Sequence, residues 1–166
     1  MTNKISIIIP SYNRPKLVVE AINSCLLQTF PAYEIIIGDD SPNESTQLAI
    51  SKIQKTSKTT INYYHNYPSL GQANNVNMLV SKAKGDKILL LHDDDLLCDK
   101  CLEYLIDCFH ENPLIDVAFG KQYILDDNGK VSKERSKKFN EDFYRTSEFE
   151  GSKLSSIEAA IVQQFP

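Results

Sequence analysis

The 166-residue chain contains no tryptophan, two methionines, four cysteines and six glycines. Cys25, Cys98, Cys101 and Cys108 are too few for a disulfide scaffold, and three of them fall in one helix-like stretch that closes no useful loop, so they read as reduced thiols. Cys98 and Cys101 form a C-x-x-C with neither a second pair nor a His at zinc-finger spacing, and no metal is assigned to them. Glycine is absent where phosphate-binding loops need it. There is no G-x-x-x-x-G-K-[ST] and no G-x-G-x-x-G after the first strand signal, which excludes P-loop NTPases and Rossmann dehydrogenases. No G-x-S-x-G elbow is present, and His65, His92 and His110 lack serine-hydrolase or zinc-protease spacing.

Basic charge is also short. Eighteen Lys and Arg against 22 Asp and Glu leave a formal net charge of -4, so no general attraction to phosphate backbones operates and nucleic acid is excluded as the expected partner. The longest apolar runs, Ile5 to Pro10 and Ile88 to Leu91, fall far below the roughly 18 residues that cross a bilayer, and no signal-peptide core opens the chain. A soluble cytoplasmic protein is expected. With 42% apolar residues, the chain has the material for one ordinary core rather than for disorder or for two full domains.

What is present is an alternation of two periodicities. Ile5 to Ile9 is a β-branched run stopped by Pro10, and Leu17, Val18, Ala21, Ile22, Cys25 and Leu26 then recur at helical spacing. Tyr33 to Gly38 repeats the strand signal. Ser41-Pro42-Asn43-Glu44 reads as a helix start, with a capping box and Pro at the first helical position. Ile61 to His65 is a third strand, and Ser69-x-x-Gln72 can cap a helix carrying Ala73, Val76, Leu79, Val80 and Ala83 and ended by Gly85. Lys87 to Leu91 is a fourth strand, apolar enough to be covered on both faces, and Leu102, Leu105, Ile106 and Phe109 mark the next helix. Such alternation predicts an α/β fold: an open, mostly parallel sheet flanked by helices on both faces.

Beyond Pro113 the pattern changes. Val117 to Gly120 and Gln122 to Leu125 read as strands around an Asp127-Asn128-Gly129 turn, and residues 130–138, with five basic residues and one acid, read as a solvated loop or as a flap for phosphate or a membrane surface. Ser155 to Gln164 reads as a final helix.

In an open parallel sheet, ligands bind outside the carboxyl ends of the strands. That rule selects Pro10 to Arg14, Asp39 to Ser41, Pro68 to Gln72, and His92 to Asp95. Three successive carboxylates, Asp93 to Asp95, repel one another unless something positive lies among them; Mg²⁺ or Mn²⁺ suits their hard oxygens, while the plainer alternative is one helix cap and two solvated acids. A carboxylate of the Asp39-Asp40 pair can accept from an imide N–H such as that of uracil. Tyr12 can stack on a base or cover the end of the first helix, and Arg14 can pair with phosphate or lie on the surface.

Together, Ile5 to Arg14 (ISIIIPSYNR), Gln28-Thr29-Phe30-Pro31, Tyr33 to Pro42 (YEIIIGDDSP), Gly71 to Asp86 and Leu91 to Asp95 (LHDDD) resemble the family 2 glycosyltransferases of the GT-A fold, in order and in spacing, over residues 4 to 110. The resemblance implies a GT-A, Rossmann-like sheet truncated before the acceptor-binding half, with residues 1–112 as the nucleotide-sugar-binding core and 113–166 as its incomplete continuation. It implies a nucleotide-sugar donor, UDP-linked by preference, a saccharide or lipid-linked saccharide acceptor, and transfer with inversion. Polysaccharide assembly at the inner face of a membrane, with peripheral membrane contact, is the implied setting.

Carried over by position, Pro10 and Tyr12 line the nucleoside pocket and Asp40 bonds the base, with Asn13 and Arg14 in the same loop. Gly71 and Gln72 lie near the donor, Asp93 near the ribose or sugar, and Asp94 is the metal ligand of the D-x-D motif for Mn²⁺ or Mg²⁺. Two departures stand out: His92 where the family often has Asp, and Val76 where many members carry Arg. Glu148, Glu150 and Glu158 do not match the family's catalytic base, which is expected outside this chain. A donor-binding module without turnover is therefore the alternative. A nucleotidyltransferase would want a Gly-rich basic loop where Pro10 to Arg14 stands.

Overall fold

The computed structural model describes residues 3–143, 145 and 146. The chain divides into two compact units, residues 1–108 and 109–166.

The first unit is built on four parallel strands, β1 (Ile5–Ser11), β2 (Glu34–Asp39), β3 (Thr60–His65) and β4 (Lys87–Leu90), in the order β3-β2-β1-β4. Helices α1 (Pro15–Leu26), α2 (Ser45–Thr56) and α3 (Gln72–Lys82) make the connections, and α4 (Cys101–Glu111) follows β4. Alternation along the central strands sorts their side chains between two apolar clusters. Ile5, Ile7, Ile9, Ile35 and Ile37 meet Val18, Ile22, Ile50, Leu102 and Ile106 on one face, while Ile8 and Ile36 meet Leu79 of α3 on the other. Full burial of one such isoleucine is worth roughly 1.5 to 3 kcal/mol, and β1 and β2 bury seven of them. The parallel α/β sheet with helices on both faces is as the periodicities predict.

Several local expectations are corrected. The second helix begins at Ser45, and the Ser41 hydroxyl does not cap it, because that hydroxyl is committed to Asp39 and to the Asn13 N–H; Asn43 Oδ1 instead accepts from Ser45 N at 3.0 Å. The Ser69 box is unused as well. Helix α3 starts after Gly71, whose φ of 77° turns the chain in a region that favours glycine, and no side chain caps it. Gly85 does not terminate that helix, which ends at Lys82. It allows close approach, since a Cβ there would lie 2.6 Å from the Lys4 carbonyl oxygen. Strand β4 is not covered on both faces, for Ile88 and Leu90 remain 44% and 43% exposed.

In the second unit, the strands expected at 117–120 and 122–125 are absent among the described residues. One antiparallel bridge, Leu125 to Val131, flanks the turn at 127–129, where Asp126 Oδ1 accepts from Asn128 N and Lys130 N at 2.9 Å each. The basic segment is not a loop. Most of it lies in α5 (Lys133–Asp142), which Ser132 caps and on which Lys137 and Lys138 pair with Glu141 and Asp142 one turn on. The helix expected at 155–164 lies outside the described residues.

Candidate donor-binding site

The chain steps outward from β1 to β2 to β3, then returns across the opposite face to place β4 beside β1. Strand order therefore reverses between β1 and β4, the place where open α/β sheets leave a crevice at their carboxyl ends. The loops after β1 and β4 meet there. Arg14 Nη1 donates to Asp93 Oδ1 at 3.1 Å and to Asp94 Oδ2 at 2.7 Å, while the Tyr12 backbone N–H points to Asp93 Oδ2 at 3.4 Å. Asn13 adopts the left-handed region, with φ of 56°, and its N–H donates to Ser41 Oγ at 2.8 Å. This bond ties the β1 loop to the β2 loop.

Arg14 supplies a positive group to two of the three neighbouring acids, Asp93 and Asp94. Its guanidinium is raised above its ordinary value, first by Asp93 and then by Asp94. Asp95 is raised chiefly by burial and next by the Asp94 charge. Asp93 is buried, whereas Asp94 and His92 are exposed. Among the described residues, no group of three or more His, Cys, Asp or Glu is arranged to hold a metal by itself. Asp93 and Asp94 are adjacent carboxylates, and their hard oxygens are of the kind that Mg²⁺ or Mn²⁺ takes as ligands.

At the end of β2 the two acids divide their work. Asp39 is fully buried and saturated: Ser41 N and Ser41 Oγ donate to one oxygen, and Tyr63 Oη donates to the other at 2.8 Å. Burial, followed by this bond to a carboxylate, pushes the Tyr63 hydroxyl well up. Asp40 keeps a free side. Its Oδ1 accepts from Asn66 Nδ2 at 2.8 Å and Leu70 N at 3.3 Å, and its Oδ2 takes no hydrogen bond from any described residue.

The sequence-selected residues thus fall into groups. Tyr12, Asn13, Arg14, Asp93 and Asp94 come together across β1 and β4, and Asp40 lies at the end of the neighbouring strand, its N–H bonded to the Ser11 carbonyl at 3.0 Å. Pro10 is buried within β1, paired with Gly38. Gly71 and Gln72 open α3, both exposed. Val76 packs on the Ile8, Ile36 and Leu79 cluster, so that position offers no polar contact. Glu148, Glu150 and Glu158 lie outside the described residues. Tyr63, Asn66 and Asn75 join these groups without a motif in the sequence to mark them. The available signal was an amide, Asn75, standing at helical spacing from Leu79 on an apolar face.

The profile described as glycosyl transferase family 2 matches residues 6–161. An uncharacterized glycosyltransferase of Methanocaldococcus jannaschii is 32% identical over 131 residues, 78% of this chain and 45% of the relative. The GalNAc(5)-diNAcBac-PP-undecaprenol beta-1,3-glucosyltransferase of Campylobacter jejuni is 30% identical over 135 residues, 81% of this chain and 43% of the relative. Among solved structures, S. aureus TarS 1-349 in complex with UDP-GlcNAc superposes with a TM-score of 0.59 at 25% identity, over 66% of this chain and 32% of that one. The chain spans less than half the length of each of these relatives. Among the described residues, no helix is long and apolar enough to cross a membrane.

Proposed function

The chain belongs to glycosyl transferase family 2, and from that premise we propose that it binds a UDP-linked sugar and activates it for transfer, with inversion, to a hydroxyl of a saccharide acceptor. The observation that carries this is the meeting of Tyr12, Arg14, Asp93 and Asp94 at the strand-order reversal, beside an Asp40 with one oxygen free. The exposed ring of Tyr12 offers a face for the base, and Asp40 Oδ2 accepts from its imide N–H. Gly71 and Gln72 bound the donor on the α3 side, Pro10 lies beneath the nucleoside, and Asn13 shapes the loop.

The acceptor oxygen attacks the anomeric carbon in line as the bond to the diphosphate breaks, and negative charge develops on the departing UDP. Arg14, swinging from Asp94 to the diphosphate, meets that charge. Asp94, with Asp93 beside it, would hold Mn²⁺ or Mg²⁺, which supplies Lewis-acid stabilisation to the same oxygens when bound. Deprotonation of the acceptor is assigned to no described residue. The C. jejuni relative is a glucosyltransferase named for a GalNAc(5)-diNAcBac-PP-undecaprenol substrate, which favours a lipid-linked saccharide as acceptor, a hexose as the transferred sugar, and work at the inner face of a membrane.

Calorimetry with UDP, with and without Mn²⁺, beside GDP and CMP, tests the reading. UDP binding that strengthens with Mn²⁺ is the expected result. Equal affinity for all three nucleotides would overturn the UDP assignment.

A further inference from the structure

Asp40 is held by a line of amides whose direction is dictated at its buried end. The Gly38 carbonyl can only accept, and Asn75 Nδ2 donates to it at 2.8 Å. That bond turns Asn75 Oδ1 toward Asn66, which must answer with its NH₂ group, at 3.1 Å. The second hydrogen of the same NH₂ group then goes to Asp40 Oδ1 at 2.8 Å. Asn75 is only 2% exposed, so its amide cannot turn to water without breaking both bonds. The backbone makes room for it, since a Cβ on Gly38 would lie 2.1 Å from Asn75 Oδ1.

Resting on the donor reading above, we propose that Asn75, acting through Asn66, is a positioning residue that sets base specificity. The line keeps Asp40 Oδ1 occupied and presents Oδ2 to the crevice as an acceptor. Such an oxygen selects a pyrimidine that carries N–H at its ring nitrogen, as uracil does, and disfavours cytosine, whose ring nitrogen is itself an acceptor. The direction of the line is set by the Gly38 carbonyl of β2, which lies behind the crevice and not in it.

The test is calorimetry of the full chain with UDP and CDP for the wild type, Asn66→Ala, Asn75→Ala, the double variant and Asp40→Ala. Each amide variant is expected to lose about tenfold in UDP affinity with CDP little changed, because the remaining Leu70 N–H at 3.3 Å holds Asp40 Oδ2 less firmly in the direction of the imide N–H. The double variant should lose no more than either single one, since the two amides act in series. Asn66 is only partly buried at a strand end, so Asn66→Ala keeps the test open should Asn75→Ala fail to fold. A UDP-to-CDP preference that disappears in Asp40→Ala but survives in Asn66→Ala overturns the amide line and leaves the donor reading standing. A wild type that binds neither nucleotide overturns both.

Discussion

Arg14 donates to Asp94 Oδ2 at 2.7 Å across 80 residues of sequence. The same nitrogen reaches Asp93, so one guanidinium spans the two acids that face the crevice. If Asp94 holds a cation as proposed, Arg14 and that cation compete for the same carboxylate oxygen. Asp94→Ala removes an exposed carboxylate and nothing from the core. It should abolish the Mn²⁺ dependence of UDP binding and leave the far-UV circular dichroism spectrum unchanged. Unaltered Mn²⁺-dependent titration of UDP in that variant would contradict the assignment.

Arg14→Ala separates the two cations. Its pair with Asp94 is exposed, but Asp93 is buried and would lose its cation, so thermal stability should fall. Affinity for Mn²⁺ without nucleotide should rise, because the competitor for Asp94 is gone, whereas UDP affinity should fall with the lost diphosphate contact. Titrating the variant with Mn²⁺ alone and then with UDP reads both effects, and a fall in both affinities would show that Arg14 does not compete with the cation for Asp94.

Tyr63→Phe deletes the donor to a fully buried carboxylate oxygen of Asp39. An unsatisfied buried acceptor costs about 1 to 3 kcal/mol, and urea unfolding should register a loss of that size. Tyr12→Phe, at an exposed ring, should leave the unfolding midpoint where it is.

Gly38→Ala places a methyl group 2.1 Å from Asn75 Oδ1 inside the sheet-to-α3 contact. Overpacking of this kind costs roughly 1 to 3 kcal/mol. A lowered melting temperature together with a reduced UDP preference is the expected pair of outcomes, because the amide line and the core share that contact.

Burial pushes the Cys25 thiol from 9.0 up to about 12. The folded state therefore holds that proton more tightly than the unfolded chain does. The stabilisation linked to it is complete below pH 9.0 and is lost as the pH climbs toward about 12. Unfolding measured across this alkaline window should show a decline that Cys25→Ala diminishes. At neutral pH, Cys25 should resist thiol reagents that label exposed Cys98.

Much of this was legible in the chain because strand and helix periodicities are local. The runs around Ile7, Ile36 and Ile88, separated by amphipathic helices, are sufficient for a parallel α/β sheet, and the polar residues after each strand mark its carboxyl edge. Helix starts were less legible. Ser41 has the composition of a cap, yet Asp39 and Asn13, distant in sequence or engaged in a turn, claim its hydroxyl. The basic run at 130–138 resembled a loop because its charges hide a helix stabilised by Ser132 and by pairs one turn apart.

What the sequence determined by itself was the alternation of elements and the kinds of groups delivered to the crevice, since both follow from residue type and near-neighbour spacing. Only the tertiary structure decided the partnerships. Parallel strands bring residues some 80 positions apart into contact, so whether Asp94 meets Arg14, whether Asp39 or Asp40 keeps a free oxygen, and which way an Asn75 amide points depend on strand order and on which buried carbonyl lies opposite. Hydrogen-bond polarity passes from a buried acceptor outward, and no spacing rule along the chain records it.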